Sequence, residues 1–374
     1  MSDSTTSETP LLSPVPFWVA LGLPPLAFFG AWQGGWSVML LPVFTWYLFS
    51  GLDLAVGRNT GNPDPETPDT RLKSHTAITV IWAPLQFVTL FSLIWYVPHA
   101  EHLGTAERIG LFFGVGVITG TIGINYSHEL MHQRSRLERW MADILLAMVL
   151  YSHFRSEHLL VHHRWVGTPR DAVTARYNEG FYRYYPRVLF QSAVSAFRAE
   201  AGMQARRGAS WGHPGNPFYR YVSLQAGMLT LAFVLGGWTA IGLFLFQAVT
   251  AIWQLELVNY VEHYGLTRQK LDNGRYEPVR PHHSWNADHK ASNWLLINLQ
   301  RHSDHHFKPD RRFPVLQTYP ADDAPQLPFG YPIMTMAAMI PPLWRRMMNP
   351  RVHAWRARHY PGVTDWPQDA AHRA

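Results

Sequence analysis

Apolar residues gather in six long runs, separated by polar segments that hold most of the chain's charge. A membrane-crossing helix needs about 20 mostly apolar residues. Runs near 16–33, 36–52, 76–97, 108–126, 221–235 and 238–261 meet or approach that length. The first two join at Gly34 and Gly35 and the last two at Gly236 and Gly237. Glycine suits the tight turn of a helical hairpin. The run 141–150 is too short to span, and 331–344 is interrupted by Pro332, Pro341 and Pro342. Both read as buried or interfacial helices. The pattern predicts an all-α integral membrane protein of six transmembrane helices, one catalytic domain over 1–374, with a short disordered tail over 1–15.

Charge sets the orientation. The loop 98–107 has no Arg or Lys, whereas 127–220 holds 13 Arg and the region after the sixth run is also basic. Positive loops stay inside. Both termini and the segments 127–220 and 262–374 are therefore expected in the cytoplasm as a helical cap, in a multi-pass protein of the inner membrane. Charged residues make up 16% of the 374 and hydrophobic ones 47%, which supports burial in lipid. The net charge is +6 without a basic block, so a membrane surface explains it and nucleic acid is not expected. Cysteine is absent, which excludes disulfides, thiolate-ligated haem and Cys-held iron–sulfur clusters. No GxGxxG fingerprint opens a strand–helix unit, so redox work here requires electrons from another protein.

The candidate chemistry lies in histidine. Of 20 His, nine fall in four clusters: HELMH holds His128 and His132, EHLLVHH holds His158, His162 and His163, VEHYG holds His263, and LQRHSDHH holds His302, His305 and His306. On an α-helix, residues three or four apart share a face. His128 pairs with His132 on that basis, His158 with His162, and His302 with His305 or His306. Adjacent imidazoles diverge by about 100°, so the doublets can serve two metals, four or five His to each. Imidazole suits Fe, Zn, Cu and Ni, and oxidation of an unactivated C–H bond points to iron with dioxygen. Neutral ligands call for carboxylates nearby. Glu129, Glu157, Glu262 and Asp304 each adjoin a clustered His, as partners for a second ring nitrogen or for a neighbouring Arg, and His283 in HHSWNADH is a further supporting candidate.

HELMH also matches HExxH, the zinc peptidase motif, with Glu129 as general base. A membrane zinc protease needs about three ligands, which leaves six clustered His without a role. A metal transporter would place its ionisable groups at midplane rather than at helix ends.

The strings NYSHELMHQ, EHLLVHHRWVGTPRDAVTAR, NYVEHYGL, HHSWNADH and LQRHSDHHFKPDRRFP resemble those of the alkane 1-monooxygenases, within the membrane desaturase and hydroxylase superfamily. The likeness runs from about Leu52 to Tyr319, with Val161 where the family usually has Gly. It implies the nine His as ligands of two iron ions, terminal hydroxylation of medium-chain n-alkanes with O2, and a hydrophobic channel from the lipid. It also implies reduced rubredoxin as electron donor, recharged by an NADH-dependent reductase. Xylene-type aromatic methyl monooxygenases and fatty-acyl hydroxylases or desaturases are the related alternatives. Trp46, in the second run, is a candidate plug of the substrate channel. Homo-oligomerisation is left open by the sequence.

Overall fold

The computed structural model describes residues 9–364 and 366. Of the tail expected over 1–15, residues 1–8 lie outside the described residues. Residues 9–14 run as irregular chain, with the Thr9 N–H donating to Asn62 O at 3.1 Å. Among the described residues there is no strand, only three isolated bridges.

Five helices are long and apolar enough to cross a membrane: α1 Val15–Gln33, α2 Gly35–Val56, α3 Asp69–His99, α4 Thr105–Met131 and, after the cap helices, the 47-residue Pro217–His263. Between them come α5 Arg136–Met148, α6 over 154–165 and α7 Phe181–Arg206; Pro217–His263 is α8. Then follow α9 Lys290–Leu295, α10 His302–Phe307, α11 Tyr331–Ala338 and α12 Pro341–His359. The run 141–150 falls mostly in α5, whose Leu145, Leu146, Ala147 and Met148 are fully buried.

A straight helix of 47 residues would reach roughly 70 Å, more than twice the ~30 Å hydrocarbon core. α8 does not run straight. Gly236 (φ −158°, ψ 20°) and Gly237 (φ 62°, ψ −150°) leave the helical region. Arg220 pairs with Asp143 at 2.9 Å, while Gln247 donates to Met148 O at 2.8 Å. Asp143 and Met148 lie five residues apart on α5, about 7.5 Å along its axis. The two halves of α8 therefore fold back as a hairpin, with the turn where the sequence placed it.

Three of the interhelix turns gather at one end. Glu107 accepts from Gly35 N–H at 2.5 Å and from Gly104 N–H at 2.6 Å, joining the α1–α2 turn to the start of α4. Gly236 packs on Pro98 and Ile94 of α3. Inside the bundle, a Cβ on Gly116 would stand 2.5 Å from Thr250 Cβ, and one on Gly120 would stand 2.7 Å from Ala251 O. Small residues four apart thus let α4 close on the second limb of α8.

At the opposite end α4 and α8 carry on past the bilayer thickness; α4 alone rises about 40 Å over 27 residues. Two cores meet there. One, among the spans, includes Trp82, Phe112, Tyr126 and Leu130. The other, built from α7, the end of α8 and the segments after it, is aromatic: Phe181, Tyr184, Tyr260, Tyr264, Trp285 and Trp344. The flanks of His128 belong to the first and those of His263 to the second, so the histidines sit at the junction.

Candidate metal centre

Each histidine arrives on a short piece of helix. His128 and His132 close α4, His263 ends α8, and His302, His305 and His306 lie on α10. In α6 the turn His158–His162 is a π-helix, and the His163 N–H donates to His158 O, five residues back. That extra residue in the turn places His163, not His162, directly above His158.

The nine side chains form two groups. His128, His132, His158, His163 and His305 make one; His162, His263, His302 and His306 make the other. Within each group the facing ring nitrogens lie within 4.8 Å of one another. The doublets divide as their ~100° divergence requires, one imidazole to each group. One expected pairing changes: His158 and His162 fall in different groups because of the π-turn. Of the two partners open to His302, the structure selects His306, and His305 joins the five-His group.

The nitrogen spacings suit a cation. His158 Nε2 stands 3.0 Å from His132 Nε2 and 2.9 Å from His163 Nε2. His163 Nε2 is 3.1 Å from His305 Nε2. In the second group His302 Nε2 lies 3.1 Å from His263 Nε2 and 3.0 Å from His306 Nε2. One ring nitrogen has a single bonding direction and cannot serve two neighbours by hydrogen bonds alone. Two imidazoles held at right angles by bonds of about 2.1 Å to one ion would have nitrogens about 3.0 Å apart. Burial, and then the neighbouring imidazoles, hold His132, His158, His163, His302, His305 and His306 well below the usual histidine range. They are neutral at pH 7, which is the metal-binding form.

The carboxylates divide by role. His162 Nδ1 lies 3.0 Å from Asp171 Oδ2, which also accepts from Thr174 Oγ1 at 2.6 Å. The turn after α6 brings Asp171 back, its N–H donating to Thr168 O. Sequence reasoning passed over Asp171 because it adjoins no histidine; its place after the Gly167–Pro169 turn was the available signal. His302 Nδ1 and Glu262 Oε1 approach to 3.3 Å without hydrogen-bond alignment. Asp304 serves Arg311 instead, through two 2.6 Å contacts, and Tyr319 at 2.7 Å. Glu129 takes Gln133 Nε2 at 3.2 Å. Glu157 is buried with neither oxygen partnered, and burial, then Asp171 and Glu256, push its carboxyl well up. An unpartnered buried acid one residue before His158 again fits a cation.

His283 does not turn its side chain to the nine. Its Nδ1 accepts from Arg280 N–H at 2.9 Å, and its Nε2 meets Tyr360 OH at 2.8 Å. Tyr360 in turn donates to Glu277 Oε1 at 2.6 Å.

A narrow apolar cleft reaches the histidines from the bundle. Phe154, Leu255, Val258, Leu296 and Leu299 line it, and His128, His158 and His302 close its end. Trp46 is not on its wall. It packs edge-on against Phe113 and Trp253, the residue before the cleft-lining Gln254.

A family model described as fatty acid desaturase matches residues 105–338, a stretch that holds all nine histidines. Over 356 residues the chain is 37% identical to alkane 1-monooxygenase 2 of Pseudomonas aeruginosa, covering 94% of this chain and 92% of that protein. It is 37% identical to alkane 1-monooxygenase 2 of Alcanivorax borkumensis, over 81% of this chain and 80% of the relative. The chain belongs to the alkane 1-monooxygenase family. Like its relatives it is a multi-pass membrane enzyme of the wider desaturase family. A more distant likeness, 31% over 67% of this chain and 66% of the relative, joins it to the xylene/toluene monooxygenase hydroxylase component XylM of Pseudomonas putida.

Proposed function

We propose that this enzyme hydroxylates the terminal carbon of medium-chain n-alkanes to 1-alkanols, using O2 and electrons from reduced rubredoxin. The carrying observation is the two groups of imidazoles, most of them buried, at the end of an apolar cleft. His128, His132, His158, His163 and His305 would hold one iron ion, and His162, His263, His302 and His306 the other. Iron so held would supply the activation of dioxygen and the oxidation of the C–H bond. The chain's residues supply the rest. Terminal C–H bonds are the least reactive of an alkane, so position must come from geometry. The cleft walls, Phe154, Leu255, Val258 and Leu299, hold a chain end-on toward His128, His158 and His302 and keep water out. Asp171 orients His162 through Nδ1, and Glu262 faces His302.

The reaction consumes one O2, two electrons and two protons, and releases water with the alcohol. With no cysteine in the chain, the electrons come from outside, through rubredoxin and its NADH-linked reductase. The α8 hairpin supports counting its two limbs as the fifth and sixth spans, and the Arg-rich segments support a centre on the cytoplasmic side of the inner membrane. The XylM likeness favours aromatic methyl groups as the second reading. Oxidation of an n-alkane series and of xylene by cells carrying the protein, with product analysis, decides. Primary alcohols from medium chains are the expected product; oxidation of xylene alone refutes the alkane reading.

A further inference from the structure

α7 lies along the membrane boundary rather than through it. Near its start, Tyr184 OH donates to Glu256 Oε2 at 3.2 Å. Glu256 stands nineteen positions past Gly237, roughly 29 Å up that limb. Near its end, Glu200 accepts from Ser156 Oγ at 2.6 Å, and Ser156 Oγ meets Tyr221 OH at 2.9 Å. Tyr221 stands fifteen positions before Gly236, roughly 22 Å up the other limb. Both ends of α7 are therefore pinned near the far boundary of a ~30 Å apolar core. Its buried stripe recurs every four residues at Tyr184, Val188, Ser192, Ala196, Glu200 and Gln204. Tyr182, Phe190 and Phe197 stand exposed on another face. An in-plane helix with exposed aromatics and interspersed arginines is the form that rests in lipid headgroups.

Between α7 and α6 opens a groove of about 800 Å³. Its floor is Leu159, Leu160 and Val161, the residues between His158 and His162. Val194 and Met203 line the α7 side. Four arginines border it, Arg164, Arg170, Arg198 and Arg206, and no acidic residue does. Among the described residues none of the four has a carboxylate partner, in contrast to Arg155, Arg187 and Arg220 nearby. Arg164 and Arg170 lie over the Trp165 ring at 4.9 and 4.4 Å.

We propose that this groove binds an anionic phospholipid, its phosphate held by Arg164, Arg170, Arg198 and Arg206 and an acyl chain laid along Leu160, Val194 and Met203. The charge is complementary, the groove lies at headgroup depth, and its floor is apolar. An acidic protein docked on the arginines would leave that floor uncovered. The bound lipid would brace the π-turn that presents His158, His162 and His163, which couples the lipid to the metal centre without contact to substrate.

The test uses the full-length holoenzyme in nanodiscs of phosphatidylcholine, with or without phosphatidylglycerol. Lipid retained per chain after detergent extraction is measured by mass spectrometry, beside Tm and iron content. Selective retention of phosphatidylglycerol and a higher Tm in its presence are expected. R198Q/R206Q should lose that retention roughly tenfold or more, R198K/R206K should keep it, and R183Q, outside the groove, should match the native protein. Equal retention in R198Q/R206Q overturns the proposal, as does a Tm rise produced by inorganic phosphate in phosphatidylcholine alone. Unchanged lipid retention with impaired turnover by the donor protein would mark a protein-docking face and also overturn it. Should R198Q/R206Q lose iron, the lipid selectivity of the native protein decides. Lipid retention, Tm and iron content do not require alkane oxidation, so the proposal stands or falls on them apart from the assigned reaction.

Discussion

His162–His163 and His305–His306 lie in helical turns that send one imidazole of each doublet to each of the two imidazole groups. His282–His283 is the same dipeptide in a different setting. It sits in the short 3₁₀ turn Pro281–His283, its rings 4.1 Å apart, and both Nε2 atoms meet Tyr360 OH, at 3.2 and 2.8 Å. Because His283 Nδ1 accepts a backbone N–H, its Nε2 carries the proton and donates to Tyr360, which donates to Glu277. Glu277, His282 and His283 are close enough to hold an ion, but their polar atoms already serve one another. At the two metal-group doublets the nitrogens face other nitrogens. Complementary partners, not the doublet itself, separate a clasp from a centre.

The largest effect should come from the doublets themselves. His162→Ala and His163→Ala should each reduce iron from about two per chain to about one and abolish hydroxylation, while His283→Ala keeps both ions. Iron analysis of the three variants checks this, and two irons in either of the first two breaks the division into groups. Next, Asp171→Asn should weaken iron binding in the four-His group by about 10- to 100-fold and spare the five-His group. Chelator competition measures it, and loss from both groups would show that Asp171 acts through the fold.

Trp46→Ser separates metal from substrate. Its packing on Trp253, beside the cleft, predicts a several-fold shift toward longer alkanes with iron content unchanged. Product profiles across chain lengths check it, and an unaltered profile removes Trp46 from the channel.

The smallest effect belongs to the clasp. Burial would raise Glu277, but His283, the Gln269 N–H and Tyr360 OH outweigh it and hold the carboxyl at about 2. Its stabilisation is full above the usual carboxylate pKa and fades as pH falls toward 2. The Glu277 side chain keeps 16% of its surface exposed, so water screens part of this and about 1 kcal/mol remains. Glu277→Gln should lower Tm at pH 7 by about 1–2 °C. The gap to the native protein should close between pH 4.5 and 2, and a gap that persists there would assign the effect to packing.

Much of this architecture was legible in residue order. Apolar runs of span length and glycine pairs at turns have local causes, and the runs correspond to helices that extend a few residues further at either end. The nine histidines were legible because ligand spacing is local too. The pairing of His158 with His162 was not, because an α-helical ruler fails where a π-turn adds a residue. Asp171 escaped because a backbone turn, not adjacency, brings it to His162. How His283 meets the centre was not legible, because its side chain turns to Glu277 and Tyr360, one of them 77 residues away, while its backbone is the hydrogen-bond partner of His263.

The sequence by itself determined a helical membrane protein and the nine clustered histidines that the fold gathers, and it called for a redox partner. Periodicity, span length and composition act over a few residues, so they can be read in order along the chain. Only the tertiary structure decided which imidazoles share a group, which carboxylate orients them and which doublet is a clasp. Those outcomes depend on the directions of single nitrogen atoms, which are set by helix ends that meet from α4, α6, α8 and α10.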